Sequence, residues 1–242
     1  RAQNSPSFSR LRHAAAQLAA AVGATLGFVT DGANAAGAAL AGTLPHRGVG
    51  GVDVDQPGLN AADMLNDGSS LDACVVFGCE PELDSAAGAA ALDALAAVGR
   101  VVCITPWVTK AMRGYADLIL PIGTWAETAG TFVNGEGRWQ SFAGAARPVG
   151  EARPGWKVLR VLGNLLDLDG FEYASAEDIR DEVGARVATL SGDPAVSDSA
   201  PAGAGAASVP GLYESDPLVR RAPALARVAA GEEGATPIGE VA

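Results

Sequence analysis

Five polar residues crowd one short stretch of an otherwise apolar, Ala-rich chain. They are Glu127, Asn134, Glu136, Arg138 and Gln140, within ADLILPIGTWAETAGTFVNGEGRWQ at positions 116–140. Carboxylate, amide and guanidinium groups at this density either build a binding site or pin a loop through hydrogen bonds, and the pinned loop is the plainer expectation. Elsewhere the reactive side chains are sparse. Glu80 and Glu82 flank Pro81 in an acidic turn, and such carboxylates ordinarily face solvent. Cys74, Cys79 and Cys103 show no C-x-x-C spacing and no neighbouring His, so they read as small buried hydrophobes in a reducing compartment. His13 falls on a helical pattern and His46 in a Gly-rich loop, and neither has partners for a metal. No Ser-His-Asp or Cys-His arrangement and no nucleophile elbow can be assembled. The residues alone describe an α/β domain without a visible catalytic apparatus.

The elements that would position these groups follow from periodicity. Ser9 can cap a helix to about Val22, with Leu11, Ala15, Leu18 and Val22 on one stripe and Gly23 as terminator. Ala24–Thr30 reads as a strand, followed by the turn Asp31-Gly32-Ala33-Asn34 and a helix to about Leu44. That turn lacks the dinucleotide fingerprint and the P-loop, and Asp31 would repel a phosphate, so it reads as a tight βα turn. Residues 45–58 form a long Gly- and Pro-rich loop of the kind that often makes an interface. Asn60–Leu65 reads as a short helix. Ala73–Gly78, Arg100–Thr105 and Leu118–Leu120 read as strands. Between the first two, Ser85 would cap a helix carrying Leu92, Leu95 and Val98. Short apolar strands alternating with helices predict an open, mostly parallel sheet with helices on both faces. The carboxyl ends of such strands line the edge where ligands bind in α/β sheets. Thr131–Val133 and Arg138–Gln140 are extended runs around an Asn134-Gly135 turn. A helix follows from Trp156 to Leu166, and another opens at a Ser175/Asp178 capping box.

Charge and composition exclude several classes of function. The chain has 242 residues with 28 acidic and 17 basic side chains, a net charge of −11. Nucleic acid and anionic membrane surfaces are therefore poor partners, because both demand Lys and Arg. No apolar run reaches the roughly 20 residues of a spanning helix, so no direct membrane insertion is expected. The chain begins at Arg1, and the expectation is a piece of a longer protein. From Ser191 to Gly211, 17 of 21 residues are Gly, Ala, Ser or Pro. The expected organisation is an α/β domain over 1–190, a flexible linker over 191–211, and a tail over 212–242. The tail's DPLVRRAPALARV run is expected to be a docking peptide or a strap back onto its own domain.

The central stretch resembles a signature of the molybdopterin oxidoreductase superfamily. The matching residues are Ala116-Asp117, Leu120-Pro121, Glu127, Gly130-Thr131, Asn134, Arg138 and Gln140. The Asn-x-Glu-Gly-Arg-x-Gln form at 134–140 most resembles the large iron–sulfur subunit of respiratory complex I, NADH–quinone oxidoreductase. Gly78-Cys79-Glu80-Pro81 resembles the superfamily's Gly-x-Asn-Pro turn. Ala152–Trp156 resembles the approach to the helix that follows, and Asp216–Ala222 resembles a C-terminal run of the large iron–sulfur subunit in its bacterial form. The resemblance covers roughly Ala24 to Leu190.

It implies a molybdopterin-oxidoreductase-like fold in a scaffold domain, itself non-catalytic, that supports electron transfer from NADH to quinone in a proton-pumping translocase. The implied partners are the other peripheral-arm subunits of complex I, on the cytoplasmic side of the bacterial inner membrane. Iron–sulfur clusters, including 4Fe-4S centres, would lie in the missing N-terminal region, and this segment would bind no cofactor, molybdopterin having been lost. Glu80 stands where Asn is usual in cofactor-binding relatives. No Lys or Arg occupies the expected strand-end turns after residues 30, 78 and 105, before Lys110 and Arg113. Were a site retained, it would involve Gly78, Glu80, Glu127, Asn134, Arg138 and Gln140. The alternatives are a nucleotide-binding domain of an active molybdopterin oxidoreductase such as a formate dehydrogenase, and a generic nucleotide-binding α/β module.

Overall fold

A computed structural model describes residues 7–27, 32–66, 70–188 and 216–229. Three apolar segments form its centre: β1 (Cys74–Phe77), β2 (Val101–Thr105) and β3 (Leu118–Pro121). All pair in parallel, in the order β1-β2-β3, with Val76 opposite Cys103 and Ile104 opposite Leu120. β-branched residues dominate these strands, as a sheet buried between crossovers requires. The architecture is the expected α/β class with a parallel sheet. Pro121 does not stop β3 short; it closes the ladder opposite Thr105.

The core lies on one face of the sheet. Val76, Val101 and Cys103 pack there with Leu95 and Val98 from the α5 (Ala90–Ala97) segment and with Met112 and Tyr115 of α6 (Met112–Tyr115). Val101, Cys103 and Met112 are fully buried. The opposite face is more open: Val75 and Leu118 are about half exposed. The start of β2 is fixed by Asp117. Its carboxylate accepts the Val101 amide at 2.7 Å and Arg100 Nη1 at 3.1 Å. The backbone bond from Val101 first, and Arg100 after it, hold the Asp117 carboxyl below its usual range. The Ala-Asp of the signature is thus a strand clamp.

Several local expectations need correction. α1 (Phe8–Val22) ends at Gly23 with φ 65°, as its sequence requires, but Ala24–Gly27 form no strand. Residues 28–31, the rest of that expected strand and Asp31, lie outside the described residues. α2 (Ala35–Leu40) stops four residues short of Leu44. Loop 45–58 is folded in rather than left open: a 3-10 turn at Val49–Gly51 packs against α2 and α8 (Ala176–Ala188), and Arg47 pairs with Asp53. α3 (Ala61–Asn66) packs on α5. Ser85 does not open a helix; it ends α4 (Pro81–Asp84), and its hydroxyl donates to the Pro81 carbonyl at 2.6 Å. Pro81 at the first helical position explains why the helix starts there.

Past β3, β4 (Gly130–Val133) and β5 (Trp139–Phe142) form an antiparallel hairpin with Val133 opposite Trp139. Phe132 and Phe142 meet edge to face at 5.0 Å. α7 (Gly155–Leu165) and α8 follow as the sequence indicates. Ser175 and Asp178 form the reciprocal capping box: Asp178 N donates to Ser175 Oγ at 3.1 Å and Ser175 N to Asp178 Oδ2 at 2.9 Å. The linker over 191–211 and Tyr213 lie outside the described residues. Asp216–Ala229 is described, and it folds back onto the domain as a 3-10 turn at Val219–Arg221 and α9 (Pro223–Ala229).

Candidate functional site

The carboxyl ends of β1, β2 and β3 do converge. Gly78, Pro106, Trp107, Ile122 and Gly123 border one cavity of about 590 Å³ there. Gly78 leaves β1 with φ 64°, a left-handed turn that suits Gly. Thr105 shapes the exit from β2: its hydroxyl donates to the Trp107 carbonyl at 3.0 Å and accepts the Trp107 amide at 3.3 Å. Trp125, Trp156 and Leu159 line the cavity from other sides, and Asp216, Pro217 and Leu218 of the returning C-terminal segment also border it. Among the described lining residues there is no Lys or Arg.

Glu80 is the main surprise. The sequence places it in a solvated acidic turn, yet only 3% of it is exposed. Its carboxylate is matched by two guanidinium groups from the tail. Arg221 Nη2 donates to Glu80 Oε1, and Arg220 Nε lies 3.7 Å from Glu80 Oε2. Asp84 completes the cluster: its Oδ1 accepts Arg220 Nη2 at 2.8 Å and its Oδ2 accepts the Glu80 amide at 2.7 Å. The Arg221 guanidinium also lies over the Trp107 ring at 4.6 Å. A buried carboxylate without such partners would carry a desolvation cost of several kcal/mol, so Glu80 and the tail belong together.

The other candidate residues divide between two pins. Glu127 closes a capping box on the 3-10 turn Trp125–Glu127: its Oε2 accepts Thr124 N at 2.8 Å and Thr124 Oγ1 at 3.1 Å. Asn134 holds the β4–β5 turn, its Oδ1 accepting Glu136 N at 3.0 Å and Arg138 N at 2.9 Å. Arg138 and Gln140 are exposed. Arg138 and Glu127 form no ion pair, and the Glu127 carboxylate is engaged by Thr124. Thus the structure brings Gly78 and Glu80 together at the sheet edge and places Glu127 beside that edge. It leaves Asn134, Arg138 and Gln140 on the hairpin.

Four further residues matter here: Trp107, which the sequence alone does not single out, and Asn34, Arg220 and Arg221, which it places only within a turn and within the tail run expected to dock or strap back. Asn34 stands before α2, but its Oδ1 accepts Val133 N at 2.9 Å and ties that turn to β4. Gly37 permits this reach, since a Cβ there would sit 2.0 Å from Asn34 Oδ1. The sequence signal for the arginines was the Arg-Arg pair in an acidic chain.

The cysteines are free thiols. Cys103 is buried in the core, while Cys74 and Cys79 are half-buried. Burial, followed by the charge of Asp84, pushes Cys79 up to about 11. Among the described residues no group of His, Cys, Asp and Glu is arranged to hold a metal.

A parallel sheet with a strand-end cavity and a hairpin beside it defines an α/β domain with a ligand-binding type of edge. The chain belongs to the molybdopterin oxidoreductase family, whose model matches residues 1–165. Among the proteins similar to this chain are three from Staphylococcus aureus named "Putative formate dehydrogenase". Those of strain MRSA252 and bovine strain RF122/ET3-1 are 38% identical over 69 residues, and that of strain USA300 is 40% identical over 69 residues. These matches cover 28% of this chain and 7% of each relative's length. Among the described residues no helix is long and apolar enough to cross a membrane.

The family's cofactor would bring a pyrophosphate to the strand-end edge. The groups present do not fit it. The described cavity lining supplies no cation, three of its side chains are indoles, and the Glu80 carboxylate stands in the turn after β1. Arg220 and Arg221, the nearby guanidiniums on the tail, are bound to Glu80 and Asp84.

Proposed function

We propose that this chain is an architectural domain of a larger oxidoreductase, resembling the scaffold part of the complex I iron–sulfur subunit, and that it does no chemistry of its own. The observation that carries this reading is the buried Glu80 carboxylate in the turn after β1, bound by the chain's own tail arginines. A phosphate brought to that turn would find the nearby guanidinium groups already bound to Glu80 and Asp84 instead of free to donate. The role left to the domain is mechanical. Its sheet and signature hairpin hold a shape against which iron–sulfur modules and peripheral-arm subunits on the cytoplasmic side of the membrane would pack, and the clusters would sit elsewhere in the parent chain.

The relatives named for formate dehydrogenase favour a second reading, a nucleotide-binding domain of an active molybdopterin enzyme. An affinity tag on this chain separates the two. The natively purified parent complex should reduce an electron-accepting dye with NADH and not with formate. Formate-dependent reduction without NADH-dependent reduction would overturn the architectural reading.

A further inference from the structure

The acidic notch beside the cavity has the composition of a peptide-recognition site. Glu80 offers two carboxylate oxygens and Asp84 its Oδ1, and the Trp107 ring forms a wall. That combination favours guanidinium over ammonium groups, because the planar fork of a guanidinium can donate two bonds to a carboxylate and stack flat on an indole. We propose that Glu80, Asp84 and Trp107 form a docking site for an Arg-Arg peptide. Its occupant is the chain's own Asp216–Ala229, held as a separable ligand that closes the sheet-edge cavity. This goes beyond the architectural reading and does not depend on which parent oxidoreductase carries the chain.

The segment is built as a ligand. Asp216 Oδ1 accepts the amides of Leu218 at 2.8 Å and Val219 at 2.9 Å, which sets the turn. Arg221 Nη1 donates to the Pro217 carbonyl at 2.8 Å, so the guanidinium is aimed before it meets Glu80. The contact joins positions 141 residues apart, and Asp216, Pro217 and Leu218 reach the cavity through it. The sequence 191–211 ahead of the segment offers only two side chains larger and more apolar than Ala or Pro, Val196 and Val209. Among the described residues, the two arginines supply the segment's ion pairs to the domain.

The test uses the complete protein with a specific protease sequence inserted after Ala200, cut once the protein has folded. The nicked protein should keep its C-terminal fragment on gel filtration at micromolar concentration. A synthetic Asp216–Ala229 peptide in excess should displace it, and the same peptide with both arginines replaced by Ala should not. In the nicked protein, Arg220→Ala with Arg221→Ala should weaken retention roughly 100-fold or more, and Arg221→Lys by about 10-fold. Glu80→Gln should release the fragment from the opposite side of the contact, and release should expose the cavity to an apolar fluorescent dye. Loss of the fragment from the nicked wild type at micromolar concentration would overturn the proposal. Retention by the double Ala variant equal to that of the wild type would overturn it too.

Discussion

Replacing Arg221 by Ala in the intact chain strikes the most heavily paired buried charge. Its guanidinium makes the hydrogen bond to Glu80, whose side chain is 4% exposed. A hydrogen bond to a charged group contributes about 1.5–3 kcal/mol. The stacking on Trp107 at 4.6 Å adds about 0.5–1 kcal/mol. Two facts lower the total. The Arg221 side chain keeps 29% of its exposure, and Arg220 stays 3.7 Å from Glu80. At that distance a residual attraction of about 4 kcal/mol at an effective dielectric of roughly 20 keeps the carboxylate compensated. The full penalty of about 3–5 kcal/mol for a stranded buried charge is therefore not reached. The expected loss is about 2–3 kcal/mol, a fall in Tm of roughly 5–10 °C for a domain of this size. Arg221→Lys should fall between, since the ammonium keeps charge but loses the fork and the stacking. Thermal unfolding followed by circular dichroism reads both. A Tm for Arg221→Ala within about 1 °C of wild type would show that the contact behaves as a surface ion pair and would refute the reasoning.

Four further outcomes follow from the structure. Asn134→Ala should destabilise the hairpin by about 1–2 kcal/mol, because two amides lose their acceptor, while Arg138→Ala should stay within about 0.5 kcal/mol; urea titration of both variants checks the contrast. Cys79, raised to about 11, should react with a disulfide reagent at pH 8 far more slowly in the native protein than after denaturation. The same shift makes a stability term that is fully present below the ordinary thiol range of about 8.5 and lost as pH rises toward 11, so Cys79→Ala should flatten the alkaline fall in Tm. Gly37→Ala should push the Asn34 side chain off Val133 N and lower Tm by roughly 2–8 °C, although Ala favours a helix; an unchanged Tm would mean that this link carries no load.

The strands and their parallel order were legible because Cys74–Phe77, Val101–Thr105 and Leu118–Pro121 are short apolar runs cut by turn residues. The capping box at Ser175 and the Asn134 turn were legible for a related reason, since both are local codes a few residues long. The cluster around Glu80 was not. Its partners lie 141 residues away in the chain, and a long-range ion pair imposes no period on the sequence. Next to Pro81 and Glu82, the carboxylate has the neighbours of a solvated turn. Ser85 misled for a simpler reason: a Ser ahead of an apolar run resembles a cap, while Pro81 starts its own short helix upstream. Within the hairpin polar set, Glu127 and Asn134 pin turns while Arg138 and Gln140 stay exposed. Its bonds run through Asn134 and Thr124 rather than through an Arg138–Glu127 pair.

The central claim is that the strand-end edge is closed by Glu80 and the tail rather than kept for a pterin nucleotide. The direct measurement is the content of molybdenum, and of guanine nucleotide released by acid, in the full-length parent protein purified natively, set against its iron content. The account predicts iron at cluster stoichiometry with neither molybdenum nor guanine nucleotide above background. One molybdenum and its matching nucleotide per chain would contradict it.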